Sequence, residues 1–433
     1  MVSVADGLLL PGRSRWSPDD SRTVGRQGAS RWVDRFLAER LQRRLEVVGV
    51  RFELWDGSSA WARGDAPAGT IVAHDRGALL GLISHPDLYF GEMYSAGRVE
   101  VRGPIGVVLE AFGRMPRARD LTAHEWFALH FPRTNDLLRA RDNVHHHYDL
   151  GNDFYRLWLD EQLLYTCAYF PHPDATLEEA QVAKMDLVCR KLRLTPGESV
   201  LEAGCGWGAL ALHMARRYGV RVKAFNISRE QMKYARERAA REGLADRVEF
   251  IEDDYRNVAG RFDAFVSVGM LEHVGRRQYR ALADVIRRTL DPAHGRGLLH
   301  FIGRDRPRPL NAWIARRVFP GAHPPALSEL QLPIFERAKL SVLDVENLRL
   351  HYARTLTHWR QRFERVERQV RESVGDAFFR AWHLYLAGSE AAFVTGWLQL
   401  YQVVFAPAGA EPPYWTRAEV YPADRAEDRR APV

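Results

Sequence analysis

The segment Val200-Leu-Glu-Ala-Gly-Cys-Gly-Trp-Gly208 constrains this chain more than any other. A short apolar run feeds one acidic residue. Three glycines then alternate with Cys205 and Trp207, and a helical pattern starts at Ala209. Glycine reaches positive φ without a steric penalty and lets a ligand approach the backbone closely. A loop of this kind, where a strand turns into a helix, cradles a nucleoside-sized ligand. Two common ligands are excluded by the spacing. Glycines 204, 206 and 208 lack the extra residue of the dinucleotide fingerprint, and no Lys-Ser or Lys-Thr follows as in a phosphate-binding loop.

The sequence around the loop alternates strand and helix signals. Strand 199–203 precedes helix 209–218, strand 221–226 precedes helix 229–242, and strands 248–251, 264–268 and 298–302 continue the series. This is the pattern of a doubly wound parallel sheet, which binds ligands at its topological switch point. With the nucleotide loops excluded, the expectation is a Rossmann-like α/β fold of the class I S-adenosylmethionine (SAM) methyltransferases.

A chain of 433 residues exceeds one average domain. Residues 1–30, rich in Arg, Ser, Gly and Asp, read as a disordered basic arm. Residues 31–135 read as a small α+β domain: a helical pattern over 32–48, strand-like runs at 50–54 and 70–74, and an alternating segment between Gly97 and Gly103. This domain is loosely similar to sterol-carrier-like lipid-binding modules. Residues 136–410 read as the methyltransferase domain with helical insertions that cover the substrate, and 411–433 as a flexible tail. Trp359, Phe363, Val366, Val370 and Val374 fall at helical spacing between Arg and Glu residues, as on an amphipathic helix.

The net charge of +7 favours an anionic partner. Arg304, Arg306, Arg308, Arg316 and Arg317 are interleaved with Trp313, Ile314 and Phe319, and basic side chains beside apolar anchors suit an anionic bilayer surface. Nucleic acid is not expected, because no base-stacking module or base-flipping motif accompanies the charge. Cys167, Cys189 and Cys205 show no paired spacing and read as reduced thiols. No apolar run approaches the ~18 residues of a membrane span, and Leu8-Leu9-Leu10 is too short for a signal peptide core. The expected location is cytoplasmic, peripherally associated with the inner face of the membrane. A homodimer is allowed, but nothing in the sequence specifies one.

Polar residues cluster where the predicted strands end. Asn226, Ser228 and Gln231 follow the second strand, Ser228 with Gln231 forming a capping box closed by Gly243. Asp253, Asp254 and Tyr255 follow the third and can bracket an adenine. Glu272 and His273 follow the fourth, and His300 lies inside the apolar run 298–302. Each has a bland alternative, in a polar turn or a satisfied core group. Their spread over separate strand ends favours a site. His145, His146 and His147 are discounted as metal ligands, because neighbouring histidines seldom converge on one ion.

These motifs, in this order, resemble the cyclopropane-fatty-acyl-phospholipid synthase family and its mycolic acid methyltransferase relatives. The resemblance runs from about His145 to Ala406. It rests on the stretch His146 to Tyr155, Leu164-Tyr-Thr-Cys-Ala-Tyr-Phe170, the glycine loop, Ser267 to Gly275, Leu299-His-Phe-Ile-Gly303, Phe319-Pro-Gly321 and Gln402-Val-Val-Phe405. The resemblance implies methyl transfer from SAM to the double bond of an unsaturated phospholipid acyl chain. A carbocation follows, loses a proton and closes to a three-membered ring. It implies a bound bicarbonate as the base, held by Glu272, His300, Tyr352 and the backbone at Cys167. It places SAM against Tyr165, Thr166, Gly204, Cys205, Gly206, Gly208, Asn226, Ser228, Gln231, Asp254 and Tyr255. Thr166 stands where serine is usual, Asn226 where threonine is common, and Ser389 where many relatives carry a cysteine. The same carbocation can instead lose its proton without ring closure, giving a methylene-branched chain that a reductase could convert to a methyl branch.

Overall fold

The computed structural model describes residues 28–115 and 151–421. His145, His146 and His147 lie outside the described residues, as do most of the expected N-terminal arm and the proposed boundary at 135.

The C-terminal part of the chain is built on a seven-stranded sheet of order β6-β5-β4-β7-β8-β10-β9. Its strands are β4 (Ser199–Ala203), β5 (Arg221–Asn226), β6 (Val248–Glu252), β7 (Ala264–Val268), β8 (Arg296–Gly303), β9 (Leu340–Asn347) and β10 (Gln399–Pro407). The first five pair in parallel, and β10 runs antiparallel between β8 and β9. Alternation along β4 explains the two-sided burial. Val200 packs with Leu210, Met214 and Met232 from the helices Ala209–Tyr218 and Arg229–Arg241. Leu201 packs on the other face with Leu282 and Ile286 of the helix Tyr279–Thr289. A sheet covered on both faces needs near-continuous apolar strands, and all five residues of β7 are buried. The strand order reverses between β4 and β7, so the ligand crevice opens beyond the carboxyl ends of these two strands.

A third cluster sits across that crevice. The helices Asn152–Arg156, Arg349–Arg365 and Asp376–Val394 supply Tyr155, Trp359, Phe363 and Trp382 to it, and Trp158 joins from the turn after the first helix, all buried. The expected amphipathic helix is therefore turned inward through Trp359 and Phe363. It breaks at Val366 and resumes as Glu367–Val374.

The N-terminal domain holds a three-stranded sheet, β1 (Val50–Leu54), β2 (Gly69–Ala73) and β3 (Val99–Arg102), with β1 parallel and β3 antiparallel to β2. The helix Trp32–Leu45 is fixed to it by the buried Gln42, whose amide donates to Val50 O at 3.1 Å and accepts from Phe52 N at 2.7 Å. The two domains interlock. Gly91, on the helix Pro86–Ser95, lies so close to Trp313 that a Cβ there would overlap the indole. Arg317 forms a bidentate pair with Glu92 at 2.8 and 2.5 Å.

Two expectations from sequence change here. Of the arginines between 304 and 320, only Arg316 is exposed. Trp313 is 4% exposed, and Arg304 donates to Pro309 O at 2.7 Å. The stretch faces a cavity and the other domain, so it does not form an open basic surface. The tail expected from residue 411 is mostly exposed but tethered as far as 421. Val420 is buried, its carbonyl accepts from Arg190 at 2.7 Å, and Arg417 pairs with Asp344. At the other end, Gly28 and Ser30 are hydrogen-bonded to Trp55 and Asp56. No described helix is long and apolar enough to cross a membrane.

Candidate active site

The glycine loop turns β4 into the helix Ala209–Tyr218. Gly204, Gly206 and Gly208 all have positive φ. Gly204 N and Cys205 N both donate to Phe225 O, at 2.9 and 3.1 Å, which pins the loop to β5. Gly208 and Gly206 serve different needs. A Cβ on Gly208 would strike Phe250 at 2.6 Å, so this glycine lets helix and sheet approach. A Cβ on Gly206 would meet nothing within 4 Å, so its position is open toward the crevice. Trp207 is buried beneath the loop and donates to Asn152 Oδ1 at 2.7 Å.

The crevice over this loop has a volume of about 180 Å³ and is walled by Tyr165, Gly206, Asn226, Gln231, Asp254 and Tyr255. Asn226 organises it, donating to Gly206 O at 3.2 Å and to Gln231 Oε1 at 2.7 Å. The capping box expected at Ser228 is half formed. Ser228 Oγ accepts from Gln231 N, while the Gln231 side chain turns to Asn226. Asp254 is held by both arms of Arg256 at 2.7 and 2.8 Å. Its carboxylate is thus preorganised and part-neutralised. Tyr255 Oη is buried with no hydrogen-bond partner among the described residues. The open glycine, the polar strand ends and the buried hydroxyl fit a nucleoside with an amino-acid tail.

Beneath the loop lies a group the sequence reading did not single out. Lys184, on the helix Leu177–Lys191, is fully buried and donates to Thr166 Oγ1 at 3.0 Å. Burial pushes the lysine down to about 8, opposed by the nearby Asp160 and Glu202 carboxyls. Burial also pushes Glu202, the acidic residue of the loop motif, up to about 8. The available signal was a lysine between Ala183 and Met185 on a side of the helix that the apolar pattern buries.

A second cavity, of about 1800 Å³, adjoins the first. Tyr165, Thr166, Gly269, His273, Val274 and Phe319 line both. Cys167, Glu272, His300 and Tyr352 all line the larger one, as does Ser389. Glu272, on the short helix Leu271–Val274 after β7, accepts from Ile302 N at 3.3 Å through Oε1, and its Oε2 is buried with no hydrogen-bond partner. Burial pushes this carboxyl up to about 7. His300 pairs in register with Gln402 across β8 and β10, and its Nδ1 lies 3.1 Å from Gln402 Nε2. His300 Nε2 is buried with no hydrogen-bond partner. Burial, with Lys184 and Lys191 nearby, holds the imidazole well below its usual range, so it is neutral. A neutral imidazole N–H donor and a carboxyl able to share a proton form a donor set suited to a small oxyanion. Burial also raises the Cys167 thiol, which excludes a thiolate nucleophile there. Among the described residues no cluster could hold a metal ion.

The larger cavity runs from these groups into the N-terminal domain. Its apolar wall includes Ile302, Leu356 and Phe393 on one side and Leu37, Phe52 and Leu82 on the other. The mean pocket for a small ligand is roughly 300–1,000 Å³, and this space exceeds it.

A doubly wound sheet with a glycine-loop crevice at its switch point defines a class I SAM-dependent methyltransferase. Comparison with known proteins narrows the class. A family described as mycolic acid cyclopropane synthetase matches residues 135–403. The probable fatty acid methyltransferase of Pseudomonas putida is 39% identical over 383 residues, spanning 86% of this chain and 96% of the relative. The cyclopropane-fatty-acyl-phospholipid synthase of Escherichia coli K12 is 40% identical over 261 residues, 60% of this chain and 66% of the relative. The solved structure of mycolic acid cyclopropane synthase CmaA1 complexed with SAH and CTAB superposes with a TM-score of 0.58 at 30% identity, covering 61% of this chain and 97% of that one. The chain belongs to the mycolic acid cyclopropane synthetase family.

Proposed function

We propose that this enzyme methylates the double bond of unsaturated acyl chains carried on phospholipids and closes the product to a cyclopropane. The observation that carries the reading is the set of six residues, from Tyr165 to Phe319, that line both the cofactor crevice and the large cavity with its apolar wall. Bound SAM supplies an electrophilic methyl group, and bicarbonate supplies a base. The residues that would hold SAM are Gly204, Cys205, Gly206, Tyr165, Thr166, Asn226, Gln231, Asp254 and Tyr255, which line the crevice, while the expected Ser228 and Gly208 do not line it: Ser228 is buried as a helix cap and Gly208 packs against Phe250. The residues that hold bicarbonate are Glu272, His300, Tyr352 and the Cys167 backbone.

The chain's own contribution is placement, dryness and charge. The apolar wall keeps water from a cationic acyl chain. The ring of Tyr165, packed 5.2 Å from Trp359 and 5.5 Å from Tyr155, presents π density at the junction. His300 would offer an N–H at Nε2 to a bound anion, and Glu272 would hold it by sharing a proton.

A branched product shares the first step. The relative spanning nearly the whole chain is named a fatty acid methyltransferase, and Ser389 rather than cysteine lines the cavity. One experiment separates the outcomes: expression in a bacterium that makes no branched or cyclopropane lipids, followed by chromatographic separation and mass spectrometry of total fatty acids. The expected result is a gain of one CH2 on monounsaturated chains, eluting as the cyclopropane. No gain on any unsaturated chain overturns the lipid reading, and elution as a methylene branch moves the reading to the second product.

A further inference from the structure

With the arginine stretch 304–320 turned inward, the helix Trp32–Leu45 offers another face for a lipid surface. The inner side of this helix is buried through Asp34, Ala38, Gln42 and Leu45. Its outer side carries Trp32, Val33 and Phe36, which are 73%, 41% and 50% exposed. Monomeric proteins seldom leave neighbouring large apolar side chains in water without a binding role. Trp32, Phe36, Arg40 and Arg44 recur every four residues and so occupy one stripe of the helix. This stripe runs into the large cavity, because Arg40 and Arg44, both exposed, line it together with Leu37 and Leu41. Leu80 and Ile83, on the adjacent helix Arg76–Ser84, are 48% and 38% exposed, and Ile83 also lines the cavity.

Charge favours the same partner. Arg40 and Arg44, both exposed, bring positive charge to the part of the cavity that this helix lines. Aromatic anchors flanked by arginines on one helix face suit the interface of a bilayer bearing anionic headgroups.

We propose that the exposed face of helix Trp32–Leu45 docks the enzyme on an anionic lipid bilayer and sets the cavity beside the acyl chains. This rests on the phospholipid reading above. Trp32 and Phe36 insert at the headgroup boundary, Arg40 and Arg44 meet phosphate, and an acyl chain passes between Leu37 and Ile83 toward Glu272 and His300.

The test uses the full chain and its variant Trp32→Ser/Phe36→Ser. Neither residue lines the cavity, and both are exposed, so the thermal midpoint is expected to be unchanged. Sedimentation with phosphatidylglycerol–phosphatidylcholine vesicles is expected to show binding about tenfold weaker than wild type. Methylation of the same lipids dispersed in detergent should stay within about twofold, since the reaction site is untouched. Undiminished vesicle binding overturns the proposal. Equally strong wild-type binding to pure phosphatidylcholine vesicles overturns its anionic part. A wild-type dimer that dissociates in the variant, with vesicle binding unchanged, assigns the face to a second copy and also overturns it. Wild type that docks through this face yet methylates no dispersed phospholipid refutes the phospholipid reading and leaves the docking face standing.

Discussion

Gln402 stands opposite His300 in the β8–β10 ladder, and its side-chain amide donates to His300 Nδ1 at 3.1 Å. A neutral imidazole that accepts at Nδ1 carries its proton on Nε2. The backbone register of two antiparallel strands thereby fixes the tautomer that the site presents to a ligand. Substitution at Gln402 should therefore act through His300 without touching the cofactor crevice.

Gln402→Leu releases the tautomer. The expected loss is on the order of a hundredfold in kcat, within the usual range for removing one preorganised hydrogen-bond donor. The Kd for SAM, measured by calorimetry on the same protein, should not move. A parallel loss of SAM affinity would show that Gln402 merely supports the fold.

Glu272→Gln should be more stable than wild type at alkaline pH. The folded protein raises this carboxyl from its ordinary 4.5 to about 7, so folding favours the protonated form. The wild-type fold keeps that advantage below the ordinary value and loses it as the pH rises through about 7. The gap between variant and wild type should widen over that window to on the order of 3 kcal/mol. Denaturant midpoints of both proteins in bicarbonate-free buffer at about pH 5 and about pH 8.5 measure it. A gap independent of pH would contradict the buried, unpartnered Oε2.

Lys184→Met separates stability from binding. Burial pushes the wild-type lysine from 10.5 down to about 8, so near neutral pH the fold carries a penalty for the charged form. That penalty is absent when the lysine is neutral, above its ordinary value, and it grows as the pH falls through about 8. Methionine removes it, and the thermal midpoint at neutral pH should be no lower than in wild type. The bond to Thr166 is lost with the ammonium, and SAM affinity is expected to fall about tenfold. A lower midpoint with unchanged SAM affinity would reverse this assignment.

Gly206→Ala and Gly208→Ala should fail for different reasons. The Gly206 variant has room for its methyl group and should fold, at a cost of about 1 kcal/mol for positive φ. Its SAM affinity should fall by an order of magnitude or more as the methyl enters the crevice. The Gly208 variant collides with Phe250 and should lose solubility or melt markedly earlier. Circular dichroism melts and SAM titration on both proteins check the contrast.

Much of the fold was readable because β4 through β6 follow the alternation of buried strand and amphipathic helix, and local pattern sets both boundaries. Strands 199–203, 221–226 and 264–268 coincide with β4, β5 and β7. β9 and β10 were not read as strands. They follow a long helical excursion, and β10 inserts antiparallel between β8 and β9, a pairing that no local pattern announces. The candidate site residues were named from motif order, but their bonding could not be. Nothing near His300 points to Gln402, 102 residues later. The inward turn of the arginine stretch was hidden for the same reason, since the partner of Arg317 is Glu92.

The lock between Arg317 and Glu92 joins residues 225 apart, so the order of synthesis matters. The N-terminal domain leaves the ribosome first, at roughly 5–20 residues per second. For more than ten seconds at that rate, the groove at Gly91 has no Trp313 to fill it, and the cavity wall at Leu37, Phe52 and Leu82 has no opposite side. The nascent half-protein carries an open, greasy cleft in a cell full of lipid and chaperones. Its yield on overexpression should depend on how quickly the second domain arrives, and synonymous codons between the two domains become a practical handle on it.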